Sequence, residues 1–305
     1  MLMLLSLALP LALLGFALDS NDDDHTEAEE IEGGEGDDRL EGNTGDDFID
    51  GNAGDDVMNG RAGNDTIFGR DGEDVLVGEA GDDMLCSGDG DDFVTGNTGQ
   101  DLIEGQGGDD FLSGDYGWDT VRGDEGNDTV IGGRGGDMVA GGEGDDVVFG
   151  GIIENLPLNL TELTELRDGG ELTDINGGID MRDDSVGNRV WGGAGDDDLI
   201  LGSGDIANGH EGSDTYHIMS EQVGDVAPVI ASFVPSDDAI TVIVDDIDED
   251  ADISVSDDGD DAVIRMGDTV LARVAGGAGT LTAADISLIA ENTIEQMFEP
   301  NPAVV

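Results

Sequence analysis

An apolar side chain recurs at every ninth position between residues 33 and 149. Thirteen consecutive nine-residue units fill this stretch without a gap, and the apolar residue is always the eighth of its unit. It stands in the middle of a three-residue run that follows a segment rich in glycine and aspartate. Because side chains alternate along a strand, the middle residue of an extended triplet points to one face. The pattern therefore predicts thirteen short strands that each give one residue to a common core. These residues are Leu40, Ile49, Met58, Ile67, Leu76, Leu85, Val94, Ile103, Leu112, Val121, Val130, Val139 and Val148.

Two other positions of the unit do not vary: the fourth is always glycine and the sixth is always aspartate. Glycine adopts positive φ readily, so the chain can turn tightly and aim its carbonyl groups inward. Carboxylates and backbone carbonyls are the hard oxygen ligands that Ca²⁺ prefers, with six to eight of them at about 2.3–2.6 Å. The candidate metal ligands in the repeats are therefore Asp38, Asp47, Asp56, Asp65, Asp74, Asp83, Asp92, Asp101, Asp110, Asp119, Asp128, Asp137 and Asp146.

A single unit can neither bury its apolar residue nor complete a calcium shell, so the units must stack. In these residues the chain resembles the RTX (repeats-in-toxin, haemolysin-type) calcium-binding family. The resemblance implies an all-β fold, a right-handed parallel β-roll in which two nonapeptides make one turn and calcium is held between successive turns. Odd-numbered units would then line one side and even-numbered units the other, which gives about eleven ions.

The charge of the chain changes what the fold requires. The formal net charge is -64, from 74 acidic residues against 10 basic ones. Self-repulsion of this size opposes folding without cations, so we expect folding to be coupled to calcium binding. It also argues against nucleic acid as a partner, because binding phosphates requires Lys and Arg.

Cys86 is the single cysteine, so no internal disulfide forms. Extracellular modules bind calcium at about 10⁻⁴–10⁻³ M, which favours a secreted or cell-surface location.

The two ends of the chain carry candidate targeting segments. Residues 1–18 are apolar, which is typical of a signal peptide or a membrane anchor, although the basic residues that open most signal peptides are missing. An apolar cap on the roll is the third interpretation. Residues 19–32 form an acidic linker. The tail, residues 291–305, is loosely similar to the C-terminal secretion signals of RTX proteins.

The repeat period fails after residue 149. Residues 150–182 form an insert whose leucines fit either a short helix or extra strands. Degenerate repeats follow at 183–217, with Asp197 and Asp214 in the metal-ligand position and Asn188 where aspartate is expected. Residues 218–290 contain several strand-like runs and a turn at residues 257–261, which predicts an antiparallel β cap on the end of the roll.

The residues give no sign of catalysis: the chain contains neither a G-x-S-x-G nucleophile motif nor an H-E-x-x-H zinc motif. We therefore expect a non-enzymatic extracellular calcium-binding protein with a structural, surface or adhesion role and an unidentified cell-surface or matrix partner. A different interpretation is an accessory module for the folding and export of a secreted hydrolase. Ice binding is a third, but it needs a regular ladder of threonines, and the threonines here are scattered.

Overall fold

The computed structural model describes residues 27–154, 160–167, 180–220, 226–244, 252–290, 294 and 297 of the chain. Within these residues nearly all regular structure is β; an α-helix lies in the insert and a 3-10 turn at Ala283–Asp285. The elements are β1 (Glu30–Glu32), β2 (Arg39–Glu41), β3 (Phe48–Ala53), β4 (Val57–Ala62), β5 (Thr66–Asp71), β6 (Val75–Ala80), β7 (Met84–Asp89), β8 (Phe93–Gly99), β9 (Leu102–Gly107), β10 (Phe111–Gly117), β11 (Thr120–Glu125), β12 (Thr129–Arg134), β13 (Met138–Glu143), β14 (Val147–Phe149), β15 (Ile152–Glu154), α1 (Leu160–Arg167), β16 (Asp180–Arg182), β17 (Arg189–Ala194), β18 (Asp198–Leu201), β19 (Ile206–Glu211), β20 (Thr215–Met219), β21 (Val229–Ile230), β22 (Ala239–Val244), β23 (Ile253–Asp258), β24 (Asp261–Met266), β25 (Thr269–Val274) and β26 (Ile286–Ala290).

Consecutive strands of the repeat region alternate between two long sheets. Sheet A has the order β1-β3-β5-β7-β9-β11-β13-β17-β19-β21-β25-β24-β23, and sheet B the order β2-β4-β6-β8-β10-β12-β14-β18-β20-β22-β26. Within the repeat region neighbouring strands are parallel, and their partners are two units apart in sequence, as with Ile49 beside Ile67 and Leu76 beside Val94. Two nonapeptides therefore make one turn, and the all-β parallel roll predicted from the sequence is confirmed.

The core lies between the two sheets and consists of the predicted apolar column. Every eighth-position side chain from Ile49 to Val148 has no exposed surface, while Leu40 in the first turn is only partly buried. The same cluster continues into the degenerate repeats and the C-terminal strands through Val190, Leu199 and Ile240. Each such side chain contributes about 1.5–3 kcal/mol on burial, so stacking supplies what one unit cannot.

A second apolar cluster, which the sequence did not predict, covers the outer face of sheet B. Side chains at the seventh and ninth positions form it, among them Val75, Val77, Phe93, Phe111, Ile131 and Phe149. The insert supplies the cover: α1 contacts β4, β6 and β8, and its Leu163 is buried in the cluster. The antiparallel pair β15–β16 adds Ile153 and Met181. The insert therefore contains both a helix and strands.

The degenerate repeats stack directly on the main roll, with β17 beside β13 and β18 beside β14. Beyond them the antiparallel cap is present as β23, β24 and β25, with a turn at Gly259 between the first two strands. The other C-terminal strands, β21, β22 and β26, pair in parallel and prolong the two sheets of the roll. The apolar segment 1–18, residues 19–26 of the acidic linker and most of the tail 291–305 lie outside the described residues. Within the described part, no helix is long and apolar enough to cross a membrane.

We predict that truncating a core residue destabilises the roll far more than truncating its outward-facing neighbour. Ile67→Ala removes a fully buried side chain from β5 and should lower the free energy of unfolding by about 2–5 kcal/mol. Thr66→Ala, on the same strand but half-buried, is the matched control and should change it by less than about 1 kcal/mol. Urea unfolding in saturating calcium measures both values. Equal losses in the two variants would contradict the assignment of the core.

Candidate metal centres at the turns

The sixth-position aspartates form two rows, one along each edge of the roll. Each backbone N–H donates to Oδ1 of the aspartate one turn later, as from Asp56 to Asp74 at 2.7 Å and from Asp65 to Asp83 at 2.8 Å. The first row is Asp38, Asp56, Asp74, Asp92, Asp110, Asp128, Asp146, Asp197 and Asp214. The second is Asp47, Asp65, Asp83, Asp101, Asp119 and Asp137. All fifteen sequence-predicted residues therefore lie in two continuous series.

The second carboxylate oxygen, Oδ2, is buried without a hydrogen-bond partner in the interior of both rows. This holds for Asp56, Asp65, Asp74, Asp83, Asp92, Asp101, Asp110, Asp119, Asp128, Asp137, Asp146 and Asp197. A buried polar group without a partner costs about 1–3 kcal/mol, and more when it is charged. Burial accordingly raises the pKa of Asp110 to about 9 and the pKa of Asp119 and Asp146 to about 8. These oxygens therefore require either a proton or a cation.

Glycine at the first position of the unit leaves an open cradle in front of these oxygens, except at Asp92, whose unit begins with Ser87. A Cβ added to Gly105 would lie 2.2 Å from Oδ2 of Asp110 and 2.6 Å from the carbonyl oxygen of Gly123, one turn later. A Cβ on Gly51 would similarly meet Oδ2 of Asp56 and the carbonyl oxygen of Gly69. A carboxylate and a carbonyl from successive turns thus converge on one small space, which suits a hard cation.

The fourth-position glycines bring a second set of carbonyl groups to the same edges. Gly72 has φ +143°, and a Cβ there would lie 2.1 Å from the carbonyl oxygen of Gly54 in the preceding turn. Only glycine tolerates both this backbone conformation and this close approach. In the described part of the chain, no three His, Cys, Asp or Glu side chains are grouped so that they alone could hold a metal ion. Backbone carbonyls must therefore complete the coordination shell of any ion held here.

The rows end in carboxylates whose Oδ2 already has a partner. In the first turns, Oδ2 of Asp38 accepts the N–H of Gly34 and Oδ2 of Asp47 accepts the N–H of Asn43. At the far end of the first row, Oδ1 of Asp238 accepts the backbone N–H of Asp214, and Oδ2 of Asp238 accepts the N–H of Val234. The terminal aspartates are thus less dependent on a cation than the interior ones.

Two members of the second row were not assigned from the sequence. Asn188 takes the place of aspartate and accepts the N–H of Asp137 through Oδ1 at 2.8 Å. Asp205 follows it and accepts the N–H of Asn188 at 2.8 Å. Asp205 belongs to a repeat that is one residue short, so counting in nines from Gly192 misses it. Counting back from Gly209 would have placed it directly before the strand, where the ligand position belongs.

The acidic side chains at the fifth position form separate, largely exposed ladders. Their oxygens accept backbone N–H groups from the next turn, as Asp46 does from Asn64 and Asp82 does from Gln100, both at 2.8 Å. The hydrogen bonds run in the opposite direction to those of the sixth position. Most of these carboxylates face solvent, and we assign them no place in the buried cradles.

The second position of the unit carries backbone strain. Nine non-glycine residues there have positive φ: Asn52, Arg61, Arg70, Glu79, Asn97, Gln106, Asp115, Asp124 and His210. Side chains are disfavoured in this region by about 1–2 kcal/mol per residue. The fold therefore tolerates strain at the turns that glycine would relieve.

One buried histidine joins three strands of sheet B. His217 Nε2 lies 2.7 Å from Asp198 Oδ1, and its Nδ1 lies 2.6 Å from Thr241 Oγ1. These residue types can form a catalytic triad, but His217 is 2 % exposed and Thr241 is 8 % exposed. A hydroxyl enclosed in this way gives a substrate no access. The trio connects β18, β20 and β22, where the roll meets its C-terminal strands.

Comparisons with known proteins point to the same repeats. A family model described as the RTX calcium-binding nonapeptide repeat (4 copies) matches residues 32–67, 60–94, 87–115, 95–130, 122–152 and 187–205. No curated protein matched the chain. Among solved structures, the extracellular lipase LipA from Serratia marcescens matches at 17% identity, over 80% of this chain and 40% of that one, with a TM-score of 0.19. This chain therefore spans less than half of the lipase, and a likeness this weak carries no argument about function.

We predict that relieving strain at the second position stabilises the roll. Gln106 is exposed and has φ 83°, so Gln106→Gly should raise the free energy of unfolding by about 1 kcal/mol in saturating calcium. Gln106→Ala keeps the strain and is the control, for which no gain is expected. A loss of stability in the glycine variant, measured by urea unfolding, would show that this backbone is not strained.

We also predict that acid partly replaces the cation. Burial in the folded roll raises the pKa of these carboxyl groups from 3.8 to about 7–9. Without calcium, the folded chain therefore keeps them protonated at pH values at which the unfolded chain ionises them. The metal-free roll should therefore be most stable near pH 4 and lose that stability as the pH rises through 7 to 9. Far-UV circular dichroism in chelator should show β structure growing as the pH falls. Metal-free stability that increases with pH would contradict this.

Proposed function

Because residues 32–152 and 187–205 place this chain among the RTX calcium-binding nonapeptide repeat proteins, we propose that it is an extracellular protein whose roll folds as its turns bind calcium. The repeats bind several calcium ions. The observation that carries the finer proposal is the interior series of buried Oδ2 atoms without partners. Several of them, such as those of Asp56 and Asp110, face a carbonyl oxygen of the next turn, and a cation between the two oxygens would satisfy both.

We assign the ions to the cradles formed by a sixth-position aspartate, the first-position glycine of its unit and the carbonyl one turn later. Eleven aspartates of the main roll, Asp56 to Asp146, have the unpaired oxygen, and Asp197 adds a further one. This number agrees with the six plus five positions expected between stacked turns. Bound calcium would neutralise the carboxylate, coordinate the facing carbonyl oxygen and so link successive turns.

Coupling of folding to binding follows from the electrostatics of the rows. With a net charge of -64, a folded chain without cations would hold long series of buried carboxylates close together. In the unfolded chain all these carboxylates are hydrated. Low calcium therefore favours the unfolded chain, and high calcium favours the folded roll. Extracellular calcium sites fill at about 10⁻⁴–10⁻³ M, which makes the outside of the cell the place where the chain folds.

A structural or surface role fits the rest of the molecule. The enclosed triad-like cluster of Asp198, His217 and Thr241 serves the sheet, and the matched family describes a binding repeat rather than a catalytic domain. The exposed fifth-position carboxylates along both edges offer weak calcium contacts to other anionic surfaces. We therefore favour adhesion or surface association mediated by calcium.

The test is a calcium titration of the full chain at pH 8, from chelator to about 10 mM, a range that brackets extracellular affinities. Far-UV circular dichroism should show a cooperative transition from coil to β structure with calcium and none with magnesium, which prefers smaller octahedral sites. A chain that is already folded in chelator at this pH would overturn the coupling of folding to calcium.

A pair of neighbouring substitutions identifies the ligands. Asp83→Asn replaces a buried cradle carboxylate and should remove about one ion per chain and shift the midpoint to higher calcium. Asn188 already occupies the same kind of position, which indicates that the variant will stack. Asp82→Asn, at the exposed fifth position, should leave the ion count unchanged. Metal analysis of the protein after equilibrium dialysis against calcium buffer decides between them, and equal counts would reject the assignment.

A further inference from the structure

The first position of the unit is glycine in twelve of the thirteen repeats, and in the remaining one it is Ser87. Elsewhere the missing side chain is what keeps the cradle open. A Cβ on Gly105, the next member of the same edge, would lie 2.2 Å from Oδ2 of Asp110, and a Cβ on Gly69, the previous one, would lie 2.3 Å from Oδ2 of Asp74. Ser87 therefore brings a side chain into a space that its neighbours leave empty.

The position of the Ser87 side chain agrees with this. Ser87 has no exposed surface, and its Oγ donates to the carbonyl oxygen of Gly105 at 3.0 Å. This carbonyl is the one that would face Oδ2 of Asp92 across the cradle, by analogy with Gly123 and Asp110. The hydroxyl group thus engages one of the two oxygens that a cation would need, and by analogy with Gly69 and Gly105 the Ser87 Cβ falls beside Oδ2 of Asp92.

Resting on the calcium assignment proposed above, we infer that Ser87 closes the cradle at Asp92, so that the main roll holds one calcium ion fewer than its stacked turns allow. The main roll then carries ten ions rather than eleven. The first row is divided into a short segment at Asp56 and Asp74 and a longer one from Asp110 onward. Ser87 thus determines the number of calcium ions per chain, because it binds no ion itself and prevents one from binding at Asp92.

Three variants of the full chain test this inference by metal analysis after desalting in calcium buffer. Ser87→Gly reopens the cradle and should bind one more calcium ion per chain than the parent. Ser87→Ala keeps Cβ but removes the hydroxyl group, and it should bind the same number as the parent. Ser113→Ala removes a buried serine at the ninth position, outside the cradles, and should also leave the count unchanged.

The outcomes separate this inference from the wider proposal. An unchanged count in Ser87→Gly would show that the side chain does not control the site. A loss of one ion in Ser87→Ala would show that the hydroxyl group is itself a ligand, which also overturns the inference. Either result leaves calcium binding by the parent chain intact. A parent chain that binds no calcium would instead reject the proposed function. Circular dichroism in calcium confirms that each variant is folded before its ions are counted.

Discussion

The contact between one aspartate and the aspartate of the next turn governs this molecule. Stacking turns at the spacing of neighbouring strands, about 4.8 Å, brings their carboxylates to the same distance. Each backbone N–H satisfies one oxygen of the next carboxylate, and the other oxygen is left facing a carbonyl. Two unit charges about 5 Å apart repel by about 3 kcal/mol at an effective dielectric constant of 20. The stacking of the turns is sterically favourable, but the repulsion between carboxylates is not. A bound cation removes this repulsion.

The sequence predicts most of this because the relevant contacts are local and periodic. The eighth-position side chains and the sixth-position aspartates are set by the nine-residue period, and the structure places them as two sheets around one core and two rows at its edges. Asp205 escaped notice because one deleted residue shifts the count. The parallel pairing of β22 and β26 escaped because an alternating apolar strand reads the same in either direction.

The outer faces of the sheets could not be predicted in this way. Phe93 and Phe111 stand at the seventh position, which faces solvent on an uncovered roll, and their burial depends on an insert encoded far along the chain. On sheet A most of the equivalent positions stay partly open, and ion pairs lie on this sheet, such as Arg70 with Asp50 and Arg122 with Glu104. Exposed pairs of this kind contribute little to stability. The two faces of one repeat pattern therefore differ because of what is packed on them.

The helix of the insert makes the unfolding of the roll more cooperative than that of a simple solenoid. Turns of a solenoid touch only their neighbours, so such proteins behave as one-dimensional lattices that can fray from either end. Here α1, encoded after β14, lies back across β4, β6 and β8, and Arg167 donates to the carbonyl oxygen of Asp55, 112 residues earlier. This long-range contact fastens early turns to a segment made much later. Unwinding from the N-terminal end cannot proceed past β4 without detaching the helix, which gives a linear array some of the all-or-none character of a globular domain.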